Sequence, residues 1–174
     1  MLLQAMLLVN EKIEVSVVAR SPPGNVKSQL VESIGGAYFS TSRNTFEEIV
    51  TRLGAVDLVV DASGSSSLAF QALPAVGNNG VLCLTSITGG NKEIIFPSDK
   101  ANLDMVLGNK TIFGSVNAHP ADYYKGLRSL EKFMNDWPNT LSAFFTRRVP
   151  LHSFAEAFEF RSDDIKTTIE ISDG

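Results

Sequence analysis

Val56-Asp-Leu-Val-Val-Asp61 runs directly into Ala62-Ser-Gly64, a helix-forming stretch from Ser65 to Val76, and a second apolar run, Gly80-Val-Leu-Cys-Leu-Thr85. The first run is rich in β-branched residues and reads as a strand. Small residues mark a turn after it, and Pro74 should disturb the last turn of the helix. Val81 and its neighbours are continuously apolar, as in a strand covered on both faces. Strand, helix and strand joined by short links imply two parallel strands connected by a right-handed crossover.

Working outward, the same alternation repeats. Met1-Leu-Leu-Gln-Ala-Met-Leu-Leu-Val9 is composed of straight-chain helix formers, and Ile13 to Ala19 reads as a strand ended by Ser21-Pro-Pro-Gly24. A helix is predicted over Val26–Ile34, closed by Gly35 and Gly36, then a brief strand, Ala37-Tyr-Phe-Ser40. Thr45 and Glu48 have capping-box spacing and open a helix that Gly54 ends. Beyond Thr85, Glu93–Phe96 reads as a short strand, Asp99–Leu107 as a helix and Lys110–Val116 as a strand. Pro120 begins a long amphipathic helix broken at Trp137-Pro138, Ser153 and Glu156 form a second capping box, and Thr167–Ile171 alternates like an edge strand. The expected fold is α/β, a doubly wound parallel sheet with helices on both faces, in a single domain spanning 1–174.

The 174 residues are 44% hydrophobic and carry a net charge of −4. No basic run exceeds Arg147-Arg148, which argues against nucleic acid as a partner. Cys83 stands alone in an apolar run and reads as a buried structural thiol, so no intramolecular disulfide forms and a reducing, cytoplasmic setting is expected. The hydrophobic opening has neither a basic leader nor a cleavage site and is too short to span a bilayer, which takes about 20 apolar residues, so no membrane is expected. An apolar chain start is unusual; it predicts that this helix is buried and that something precedes it. His119, His152 and Cys83 form no ligand set at useful spacing, so no zinc site is expected, and no GxSxG elbow is present.

In open α/β sheets ligands bind beyond the carboxyl ends of the strands. Here those ends read Ala19-Arg-Ser21, Asp61-Ala-Ser-Gly64, Thr85-Ser-Ile87 and Ser115-Val-Asn117. Together with Gly77-Asn-Asn-Gly-Val81, Asn109-Lys-Thr-Ile-Phe-Gly-Ser-Val-Asn117 and Ile165-Lys-Thr-Thr-Ile169, they resemble the C-terminal part of the archaeal glucose dehydrogenases, which are medium-chain, zinc-dependent, NAD(P)-linked enzymes. The resemblance covers nearly the whole chain. It implies a truncated Rossmann-like sheet lacking its first strand and glycine-rich turn, with the zinc-binding, GroES-like domain also absent. Gly89-Gly90 lies in a loop and does not replace a GxGxxG turn.

The resemblance also implies cofactor contacts. Arg20 falls where a guanidinium can hold the 2′-phosphate of NADP; the family often shows two arginines there, and Ser21 in second place leaves NADP or NAD open. Arg20 reads equally as a solvated residue at a strand end. Asn117, with the backbone of Ser115 and Val116, falls where the nicotinamide amide is held, although an Asn in a turn before Pro120 reads almost as well. Ala62, Ser63, Gly64, Thr85 and Ser86 are small, as a dinucleotide passing close to backbone requires. Lys166 aligns with a basic residue that approaches the cofactor phosphates, or is a solvated lysine.

The implied function is the NAD(P)-binding, C-terminal portion of a glucose or sugar 1-dehydrogenase, inactive as this chain alone, with no catalytic residue of its own. The alternative is a non-catalytic interaction or structural remnant that no longer holds nucleotide. In the family the missing first strand lies between the strands at 13–19 and 56–61, so association is expected. The candidate partners are a second copy, paired through the sheet edge near 110–116, and a missing N-terminal half.

Overall fold

A computed structural model describes residues 2–172. They divide into two compact units: residues up to Ser42 together with those from His119 onward, and Arg43–Ala118.

The chain enters the first unit through α1 (Leu2–Asn10), which buries Leu2, Ala5 and Met6 on one side while Leu3 stays 43% exposed. The predicted burial of the opening segment therefore holds for one helical face; Met1 lies outside the described residues. Strand β1 (Ser16–Ala19) is shorter than the predicted 13–19, because its ladder to β2 (Ala37–Ser40) starts only at Ser16 opposite Ala37. Between them α2 (Val26–Ser33) is capped by Asn25, whose side-chain oxygen accepts from the Lys27 and Ser28 backbone N–H groups. Gly35 follows at φ +86, a conformation open to glycine at little steric cost.

In the second unit α3 (Phe46–Leu53) begins at the predicted capping box: Thr45 Oγ1 accepts from Glu48 N at 3.2 Å, and Thr45 N donates to the Glu48 carboxylate at 2.9 Å. Strand β3 (Val56–Asp61) leads to α4 (Ser66–Gln71). That helix stops well before the predicted Val76, since Pro74 removes a donor and the chain tightens into a 3-10 turn over Leu73–Ala75. Strand β4 (Val76–Leu84) accordingly starts earlier than the predicted Gly80. Its register against β3 jumps, Val56 facing Val76 but Leu58 facing Val81. Gly80 sits at this bulge, where a Cβ would lie 2.7 Å from Val76 Cγ1 and 2.9 Å from the Gly77 carbonyl. After α5 (Ser98–Leu107) comes β5 (Thr111–Gly114), paired in parallel with β4.

Glu93–Phe96 is not a strand. No ladder partner accompanies it among the described residues, and β propensity without a neighbour does not make a strand. Cys83 is half-buried rather than buried, because β3 and β4 are only partly covered and Leu58 retains 41% exposure.

The closing segment returns to the first unit with α6 (Pro120–Asp136), opened by a capping box in which His119 Nδ1 accepts from Ala121 N and His119 N donates to Asp122. Helix α7 (Pro138–Ser142) and β6 (Phe145–Pro150) were not legible in the sequence. Ser153 is no cap. It makes no capping hydrogen bond among the described residues; it is the non-helical residue, φ −107 and ψ 22, at a kink between two short helical segments within Leu151–Phe158. Strand β7 (Lys166–Glu170) pairs in parallel with β6. Arg147, nearly buried, ties this region together: its guanidinium pairs with Asp164 at 2.9 Å and donates to the Glu159 carbonyl at 3.0 Å. Met6, Val31, Ile34 and Phe133 centre the core of the first unit, and Leu73, Val76 and Leu82 that of the second.

All the strand pairs are parallel, in sheets β1-β2, β3-β4-β5 and β6-β7, with helical turns in each crossover. Among the described residues β1 bonds to β2 alone and β3 to β4 alone, so each carries an unpaired edge. No described helix is long and apolar enough to cross a membrane.

The capping box gives a direct test. Replacing Thr45 with Ala should lower stability by about 1 kcal/mol in urea denaturation, with Thr45→Ser nearly neutral. The Thr45 backbone N–H, chiefly, and the Asn44 side chain hold the Glu48 carboxyl below its ordinary value. The advantage of the native protein over Glu48→Gln should therefore be full above the ordinary carboxylate range and fade as pH falls through the lowered value; melts across pH check it.

Candidate functional site

In the second unit, parallel pairing brings the carboxyl ends of β3, β4 and β5 to one edge. Asp61 organises that edge. Its carboxylate, in a residue only 9% exposed, accepts from Ser63 Oγ at 2.6 Å and Ser63 N at 3.1 Å. Ser63 Oγ in turn accepts from Ser65 N. The Asp61 carbonyl accepts from Thr85 N at 3.0 Å and Thr85 Oγ1 at 2.7 Å. Ser86 Oγ accepts from Gly64 N at 3.1 Å, tying the turn after β3 to the end of β4. Gly64 has φ +69 and open space where a Cβ would stand, so conformation rather than crowding calls for glycine.

Ala62, Ser63, Gly64, Thr85 and Ser86 are thus brought together, but Ser63 N, Gly64 N and Thr85 N are spent on one another's oxygens or on Asp61. What this edge offers a ligand is chiefly small, close-lying surface. Ser115 is anchored through its N–H to the Leu84 carbonyl at 3.0 Å, and Val116 and Asn117 follow as exposed residues. The Asn117 amide has no protein partner among the described residues, leaving a donor and an acceptor for a primary amide.

The first unit holds the other predicted contacts. Arg20 is exposed at the carboxyl end of β1, and its guanidinium forms no ion pair among the described residues. No carboxylate occurs from Ala19 to Asn25, so this edge offers a cation, the Ser21 hydroxyl and a helix start. That donor set suits a phosphate monoester and lacks the acid that would grip a ribose diol. Lys166 opens β7, exposed and likewise without an ion pair among the described residues. Sequence reasoning missed that the Tyr38 and Ser40 hydroxyls bond to the Ser21 and Arg20 carbonyls. Tyr38 and Ser40 occupy alternate positions of β2, and the signal was present in that period-two spacing.

Among the described residues no group of three or more His, Cys, Asp or Glu stands together as a metal site.

The chain matches the family described as "Glucose dehydrogenase C-terminus" over residues 1–171. It belongs to that family. Glucose 1-dehydrogenase of Methanocella arvoryzae is 32% identical over 170 residues, covering 98% of this chain and 47% of that enzyme. Glucose 1-dehydrogenase 1 of Caldivirga maquilingensis is 34% identical over 173 residues, with the same coverage. The solved structure of Haloferax mediterranei glucose dehydrogenase in complex with NADP, Zn and gluconolactone superposes with a TM-score of 0.87 at 26% identity, covering 99% of this chain and 48% of that one. This glucose dehydrogenase C-terminal chain thus spans about half the length of the curated relatives it matches, and its α/β fold of parallel sheets is that of the Rossmann-like portion of such dehydrogenases.

The Asp61 network should be structural for the edge it organises. Asp61→Ala, which strands the Ser63 donors, is expected to cost about 1–3 kcal/mol of stability. Asp61→Asn keeps an acceptor oxygen and should cost less; paired denaturation curves decide.

Proposed function

We propose that this chain is the nucleotide-binding, C-terminal part of an NAD(P)-dependent glucose or sugar 1-dehydrogenase, with NADP preferred over NAD. The observation that carries the preference is Arg20: an exposed guanidinium with no protein ion pair at the end of β1, beside Ser21 and with no carboxylate in the following turn. Its planar fork can give paired, charge-assisted bonds to a 2′-phosphate. On this reading Lys166 approaches the cofactor phosphates, Asn117 with Ser115 and Val116 holds the nicotinamide amide, and Ala62, Ser63, Gly64, Thr85 and Ser86 provide the close-lying surface. When bound, the cofactor supplies hydride chemistry; the residues of this chain bind and orient it. The relative solved with NADP, Zn and gluconolactone supports the assignment.

No GxGxxG turn occurs in the sequence, and among the described residues no group of three or more His, Cys, Asp or Glu stands together. The purified chain should therefore turn over neither glucose nor other aldoses with NADP or NAD, with or without added zinc, since the Lewis-acid and positioning contributions must come from elsewhere. Turnover surviving repurification would overturn this. Nucleotide affinity should be weak and biased to NADP; in calorimetric titration Arg20→Ala should abolish the bias, and equal NADP affinity of the two proteins would remove Arg20 from the site.

A second reading is retained because the Ser63, Gly64 and Thr85 N–H groups are already satisfied internally: a non-catalytic remnant that holds no nucleotide. Titration separates the two readings. A cytoplasmic location belongs to the same proposal, as does self-association. Strand β5 pairs with β4 alone among the described residues and Phe113 on it is 46% exposed, so a second copy can extend that sheet across a two-fold axis. Light scattering at micromolar concentration should give twice the chain mass unless a separate N-terminal half is the required partner; a stable monomer that binds neither overturns the association.

A further inference from the structure

The segment that follows β1 is held by its neighbour strand, carbonyl by carbonyl. The Ala19 carbonyl accepts from Thr41 N at 2.9 Å, as a continuation of the ladder. The next two are held by side chains of β2: the Arg20 carbonyl by Ser40 Oγ at 3.3 Å and the Ser21 carbonyl by the Tyr38 hydroxyl at 3.0 Å. The Pro22 carbonyl then accepts from the Asn25 side chain. Ser40 is 4% exposed; its oxygen accepts from Ser42 N at 3.2 Å and lies 2.8 Å from Ser42 Oγ, and with Ser42 as the donor of that hydroxyl pair the single Ser40 proton is directed to the Arg20 carbonyl. Pro22 and Pro23 limit φ further along, and Gly24 N donates to Ser28 Oγ at 2.8 Å.

A carbonyl fixed in direction fixes ψ of its residue and with it the path of the following Cα–Cβ bond. Every peptide from Ala19 to Pro22 is fixed in this way, yet the Arg20 side chain itself is exposed and without an ion pair among the described residues. The two side-chain donors come from the adjacent strand, Ser40 from a buried position and Tyr38 from a half-buried one whose hydroxyl meets the Ser21 carbonyl at the exposed surface. Such an arrangement lowers the ordering cost that a loop otherwise meets on binding a ligand.

We infer that Tyr38 and Ser40 are positioning residues for an adenosine 2′-phosphate, acting through the Arg20 and Ser21 backbone rather than by touching the ligand. The inference rests on the reading of Arg20 given above. Without either bond the Arg20–Ser21 peptides can rotate, and the guanidinium and the Ser21 hydroxyl no longer share one geometry. The loss should fall on ligands that carry a 2′-phosphate and spare those that do not.

The test uses the full chain and two probes, 2′,5′-ADP and 5′-AMP, by calorimetric titration. The readout is the ratio of their affinities, with the thermal midpoint recorded for each protein. Tyr38→Phe and Ser40→Ala should each reduce the ratio by roughly three- to tenfold, the loss of one such hydrogen bond, while 5′-AMP binding is unchanged. Ser40→Thr, which keeps the hydroxyl, should restore the native ratio. If Arg20→Ala removes the ratio but Tyr38→Phe and Ser40→Ala preserve it, the positioning role is overturned and the Arg20 reading stands; a lowered midpoint with an unchanged ratio has the same meaning. If the native chain shows no preference for 2′,5′-ADP, or Arg20→Ala leaves it intact, the Arg20 reading falls and the positioning role with it.

Discussion

Parallel strand pairing is the constraint on which the rest of this structure depends. Parallel neighbours cannot be joined by a tight hairpin, so each pair needs a crossover, and every strand of a sheet then ends at the same edge. Between β3 and β4 the crossover is α4 with its 3-10 turn; between β4 and β5 it is α5. Leu82, fully buried in the middle strand, holds that arrangement from within. The edge so formed collects Asp61–Gly64, Thr85–Ser86 and Ser115 from three separate stretches of chain, and β1 with β2 does the same for Arg20, Ser21 and Ser40.

The two edges differ in chemistry. The edge after β3 is internally saturated, with Asp61 accepting from Ser63 and Thr85 and with Gly64 N satisfied by Ser86. Buried polar groups require partners, so the carboxylate of Asp61 is best understood as the hub that keeps this turn in one conformation. The edge after β1 is the reverse. The Arg20 and Ser21 carbonyls are satisfied by side chains of β2, while the Arg20 guanidinium is exposed and without an ion pair among the described residues.

Unpaired strand edges and exposed apolar side chains are the other consequence of this architecture. Strands β1 and β3 each bond to one neighbour among the described residues, and α6 leaves Tyr123, Tyr124, Leu127 and Met134 largely exposed. A row of open backbone donors and acceptors is the general liability of an edge strand.

Local signals carried most of the fold. Period and propensity located α2, α3, β2, β3 and α6 because each is decided by its own residues: a Thr at a cap, a glycine at a positive φ, a proline in a first turn, a β-branched run. The strand-end candidates were legible for the same reason, since parallel order alone says where carboxyl ends gather. What the sequence could not decide is whatever needs a partner. Glu93–Phe96 has strand composition but no ladder among the described residues, whereas Phe145–Pro150, with two arginines in its middle, becomes β6 because β7 pairs with it and Asp164 neutralises Arg147. Ser153 has cap spacing and stands at a kink between two short helical segments, yet its side chain makes no capping hydrogen bond among the described residues. The hold of Tyr38 and Ser40 on the Arg20–Ser21 peptides is likewise a product of register, because only the pairing of Ser16 with Ala37 brings those hydroxyls level with those carbonyls.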